Sequence, residues 1–173
     1  MAYLIRRSRL RAIALTALIA CRVGAQDSGA TPEWRVVADV PLPGKPARFD
    51  YQSLDPTNGW LWIAHMGAGE VLAFDVRGRR VAARISNMPG VTGVRVVPAL
   101  QRVFAALSAG HEVALLESRS GRVIGRVPGG RFPDGLAYAP PAQRLYVSDE
   151  YGRQELVHRC TLVHGPPAHP AWR

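Results

Sequence analysis

Two cysteines in 173 residues, one of them at position 21, provide no disulfide framework. No apolar stretch is long enough for a permanent membrane anchor: the run AIALTALIA at 12–20 rises only about 14 Å as a helix, roughly half of a bilayer's hydrocarbon core. Helical periodicity is absent over any useful length, which excludes the helical repeat architectures. There is no Gly-x-Ser-x-Gly elbow, Walker loop, dinucleotide fingerprint, HExxH or paired CxxC, so no motif designates a catalytic residue or a cofactor. The arginines are spread singly along the chain, without the basic stripe and stacking aromatics of a nucleic-acid surface.

What is present begins with an address. Arg6, Arg7, Arg9 and Arg11, without an acid among the first eleven residues, precede the apolar run. That is the order of a secretory signal, so residues 1–25 read as a signal peptide and the protein as exported, periplasmic or extracellular. Val23-Gly24-Ala25 fits a signal peptidase site before Gln26, whereas Leu18-Ile19-Ala20-Cys21 resembles a lipobox that would leave a lipidated Cys21. Removing residues 1–25 takes away five arginines and no acid, so the formal charge falls from +9 to +4. Residues 26–33 read as a linker.

Beyond the linker the sequence repeats. The stretches from Tyr51, Gly93 and Gly135 align without gaps: Pro56, Pro98 and Pro140 are 42 residues apart, as are Trp62, Phe104 and Tyr146. Glu70 and Glu112, Val71 and Val113, Arg80 and Arg122, Val81 and Val123 coincide at the same offset. In the first copy, strands are expected near 50–54, 61–64, 70–75 and 80–85, separated by turns rich in Gly, Asn and Pro. Four strands per 42 residues is the pattern of a β-propeller blade. The expected fold is therefore all-β, an incomplete propeller over 34–157 with two full blades, a partial third and an N-terminal strand at 34–40 that resembles a blade's fourth strand. Residues 158–173 read as an irregular tail, disordered or frameshifted, because 156–160 break the apolar pattern of the earlier copies and three prolines follow.

The copies, and Leu145-Tyr146-Val147-Ser148 in particular, resemble the YVTN-type propeller repeats of exported bacterial proteins. The resemblance implies a periplasmic or surface location and seven blades in a whole molecule; relatives of the architecture include electron-transfer and lactone-hydrolysing enzymes.

In a blade, the loop between the second and third strands opens on the same face as the link to the neighbouring blade, and such rims bind ligands. Arg48, Asp50, His65, Arg131, Asp134, Asp149 and Glu150 are accordingly the expected rim. A metal site from His65, Asp149 and Glu150 is not expected, since Leu107 stands between them in the repeat. The leading functional reading is a noncatalytic binding or scaffold module for a protein, glycan or small molecule. The alternatives are a propeller-type enzyme, either a metal-dependent lactonase or a quinoprotein-like oxidoreductase, and a fragment without function of its own. Uncovered blade edges make self-association an expected property.

Overall fold

A computed structural model describes residues 34–44 and 46–160. The signal segment with Cys21 and both processing sites, the linker 26–33, and residues 161–173 of the tail lie outside the described residues. Among the described residues no helix is long and apolar enough to cross a membrane.

The chain forms three antiparallel sheets in sequence order. The first holds β1 (Gln52–Asp55), β2 (Trp60–His65), β3 (Glu70–Asp75) and β4 (Arg80–Ile85). The second holds β5 (Val91–Val97), β6 (Arg102–Leu107), β7 (Glu112–Glu117) and β8 (Val123–Pro128). The third has three described strands, β9 (Pro133–Ala139), β10 (Arg144–Asp149) and β11 (Gln154–Arg159). Two four-stranded meanders and a partial third match the architecture expected from the 42-residue period. The period reaches into fine detail, because the ladder between the third and fourth strands shifts after Ala73 in one blade and after Leu115, 42 residues on, in the next.

Turn chemistry sets the strand ends. Asp55 is buried and accepts hydrogen bonds from the Thr57 and Asn58 amides and, at 2.7 Å, from the Asn58 side chain. Gly59 then takes a positive φ of 69°, which a residue with a Cβ adopts at a cost.

The middle blade is packed from both sides. Val103, Ala105, Leu107, Ala114 and Leu116 meet Trp62, Ala64, Val71 and Ala73 of the first blade, with Met88 in the link between them. Phe104, Val113 and Leu115, on the opposite face, meet Leu145, Val147 and Cys160 of the third. Alternate residues of one strand thus serve two cores, so β6 and β7 read as continuous apolar runs instead of alternating. On the inner side Thr92 donates to the Pro133 carbonyl (2.9 Å), and Ser53 accepts from the Val96 amide (3.0 Å), stitching neighbouring blades.

Two expectations change. Residues 34–40 form no strand, and Trp34, Val36 and Val37 are 91, 87 and 73% exposed. A fourth-strand sequence becomes a strand only where a sheet edge accepts its backbone groups. Conversely, β11 runs to Arg159, and Cys160 is buried beyond it, so order extends into the segment read as irregular. Leu156 packs into the second core while Val157 stays exposed: this strand alternates because only one face is covered.

Candidate functional site

The loop after each second strand is clamped to the link preceding its own blade. Gly67 donates to the Arg48 carbonyl (2.9 Å), Ser108 to that of Gly90 (3.0 Å) and Glu150 to that of Phe132 (3.1 Å). The rim residues are therefore carried on backbone that is pinned in all three blades. Their side chains, however, separate into two groups.

His65 and Asp149 point inward. His65 is buried, stacked on Phe49 with ring centroids 4.3 Å apart, and among the described residues neither ring nitrogen has a hydrogen-bond partner. Among the described residues its nearest charge, Glu70, is 4.0 Å away and is taken by Arg84 at 2.7 Å. Asp149 is buried as well, and it organises the link between the second and third blades. Its Oδ1 accepts from the amides of Arg131 (2.9 Å), Phe132 (2.8 Å) and Gly152 (3.0 Å), and its Oδ2 from the Gln154 side chain (2.9 Å). Burial alone would raise its carboxyl, but these donors outweigh it and lower the value to about 2. Arg131 lends its carbonyl to His111 Nδ1 (2.7 Å) and its guanidinium to the Tyr151 carbonyl (3.4 Å), so it too belongs to the frame of the loop.

Asp50, Asp134, Glu150 and Arg48 come together at the mouth. Arg48 pairs with Asp50 at 2.9 Å. The Asp134 carboxyl is raised above its ordinary value by burial first, then by the neighbouring Glu150 carboxyl and the negative charge of Asp50; Thr92 opposes the shift. Thr92 was not among the expected rim residues. Asp50, Thr92 and Asp134 are successive positions at the 42-residue offset, and that spacing was the signal for it. Each stands at the entry to an innermost strand, but Thr92 is buried with its hydroxyl donated to the Pro133 carbonyl, so the mouth takes its polar groups from Asp50 and Asp134. Immediately below, a cleft of about 310 Å³ opens along Tyr51, Gly93, Val94, Gly135, Leu136, Ala137, Ser148 and Glu155. Gly93 is required for this approach, because a Cβ there would collide with the Asp134 carbonyl. Among the described residues no three His, Cys, Asp or Glu side chains are disposed to hold a metal ion.

No family model matches the sequence, and no curated protein does. Solved structures do resemble the fold. Sqt1 from Saccharomyces cerevisiae superposes with a TM-score of 0.55 at 18% identity over 63% of this chain and 30% of its own. A protein assigned as a 6-phosphogluconolactonase, from Bacteroides uniformis, gives 0.56 at 15% identity over 64% of this chain and 36% of its own. The dihydro-heme d1 dehydrogenase NirN gives 0.54 at 17% over 64% and 26%. The chain spans about a third of the length of these propeller proteins, and likeness at such identities bears on fold alone.

Proposed function

We propose that this chain is an exported propeller-repeat module that binds a small hydroxyl-rich ligand, such as a saccharide, without transforming it. The observation that carries this reading is the gathering of the Asp50, Asp134 and Glu150 carboxyls with the Arg48 guanidinium at the entry to the innermost strands, next to the cleft. Carboxylates and a guanidinium supply acceptors and donors for hydroxyl groups, and the exposed rings of Phe49 and Tyr51 offer apolar faces against which a sugar ring can stack. Asp134, whose carboxyl is raised above its ordinary value by burial and by the neighbouring Glu150, adds a polar group beside the Arg48 guanidinium for such a ligand.

The structural neighbours named as a lactonase and a dehydrogenase keep an enzymatic reading in view as the second hypothesis. In its version with His65 as a metal ligand the ring would bind through a nitrogen in its own plane, but His65 is buried and no metal-holding cluster forms around it among the described residues.

The test is titration calorimetry of the purified chain against a panel of mono- and oligosaccharides, repeated with Asp134→Asn combined with Glu150→Gln. Binding that weakens at least tenfold in the double variant, with an unchanged β-sheet circular dichroism spectrum, supports the reading. Absence of saccharide binding at millimolar concentration, or full affinity in the double variant, defeats it. Export is tested separately by intact mass and fractionation: cleavage before Gln26 or a diacylglycerol adduct on Cys21 is expected, and a cytoplasmic chain retaining residues 1–25 is the contrary result.

A further inference from the structure

In the two complete blades the third and fourth strands are joined by arginine–carboxylate pairs at both ends. Arg80 meets Asp75 (3.7 Å) and Arg84 meets Glu70 (2.7 Å) in the first; Arg122 meets Glu117 and Arg126 meets Glu112 (2.9 Å) in the second. The third blade breaks this rule. Positions equivalent to Glu70 and Asp75 are Gln154 and Arg159, and Gln154 is committed to Asp149. Arg159 lies directly across from Arg144, where the second blade sets Glu117 across from Arg102. Like charges opposed in a ladder are unfavourable, and among the described residues neither Arg144 nor Arg159 has an ion pair.

The outer edge of β11 pairs with no strand among the described residues. The Cys160 amide donates to the Gln143 carbonyl (2.8 Å), so even-numbered residues of β11 bond to β10, and Glu155, Val157 and Arg159 aim their N–H and C=O groups outward. In the second blade the corresponding Glu117 amide donates to the Arg122 carbonyl at 3.0 Å. The side chains of Glu155, Val157 and Arg159 share the uncovered face, and Val157 is 52% exposed.

We propose that the outer edge of β11 pairs antiparallel with β11 of a second copy of this chain, Val157 lying on the twofold axis. A twofold normal to the sheet keeps each residue on its own face, so only registers that pair odd with odd residues are allowed, and these are the residues with outward-pointing backbone groups. Centring on Val157 sets Glu155 of each copy opposite Arg159 of the other. That arrangement brings the missing carboxylate to Arg159 and places two exposed valines in contact. The chain's own fourth-strand sequence at 34–40 fits less well: it carries Arg35 where an acid is needed opposite Arg159, and residues 161–173 contain no acid.

Sedimentation velocity across micromolar to hundred-micromolar concentrations tests this. The unaltered chain should form a dimer. Glu155→Arg or Arg159→Glu alone should weaken it about tenfold, and the two together should restore it. Val157→Pro, which removes an outward N–H that β10 does not use, should abolish it. Val157→Cys should form an intermolecular disulfide on oxidation, because hydrogen-bonded antiparallel pairs hold Cα atoms about 5.5 Å apart. A monomer throughout the range overturns the proposal. So does association that ignores the charge variants, or that disappears only on deletion of residues 34–40.

Discussion

Replacing His65 with Phe distinguishes a packing role from a ligand role at the most conspicuous position of the rim. The imidazole is buried with two ring nitrogens that no group among the described residues satisfies. Each such unpaired buried group costs about 1–3 kcal/mol relative to an apolar atom in the same place. A phenyl ring keeps the stack on Phe49, whose ring lies 10° from parallel, and leaves Glu70 paired with Arg84. Against the gain stands the larger ring, pressed toward Gly44, where overpacking costs about 1–3 kcal/mol. The balance is a gain of about 1 kcal/mol, seen as a rise of roughly 3–5 °C in Tm for a domain of this size. Urea denaturation followed by tryptophan fluorescence measures it, alongside saccharide titration of the same variant. A loss of 1 kcal/mol or more shows that the ring nitrogens are partnered in solution, and lost ligand affinity shows that His65 reaches the ligand; either result refutes the reasoning.

Further outcomes follow from the same geometry. Gly93→Ala drives a methyl into the Asp134 carbonyl, a backbone atom that cannot swing aside, and should destabilise by about 2 kcal/mol or more in thermal denaturation. Asp149, held at about 2 in the fold against an ordinary 3.8, contributes stability that is complete above about pH 4 and is lost as the pH falls toward 2. Asp149→Asn should therefore lower stability at neutral pH and flatten the acid limb of a Tm-versus-pH curve; an unchanged acid limb would count against the hydrogen-bonded carboxylate. Asp134 has the opposite sign: its raised carboxyl takes up a proton more readily in the fold, so its ionisation costs stability as the pH rises through that raised value. Asp134→Asn should raise the Tm at neutral pH while weakening the rim's hold on a hydroxyl-rich ligand, and a lower Tm would contradict the assigned environment.

The 42-residue offset already contains the blades: where strands run, where they turn, and which residues share a height in successive blades. It works because strand patterning and turn residues are local, and a constant spacing repeats them rigidly. It also marks Asp50, Thr92 and Asp134 as equivalents, once position 92 is read with the other two. The period says nothing of side-chain direction at the end of a strand. His65 and Asp149 occupy equivalent positions two copies apart, yet one lies beneath an aromatic ring and the other beneath three backbone amides, because the links preceding their blades differ. Residues 34–40 have a strand's sequence without a strand's partner, whereas 154–159, whose sequence departs from the earlier copies, pair fully with β10. Backbone hydrogen bonding needs an edge in the right place, and one covered face is enough to order a strand whose other face stays polar. Those conditions are properties of neighbours in space, so the tertiary structure decided them.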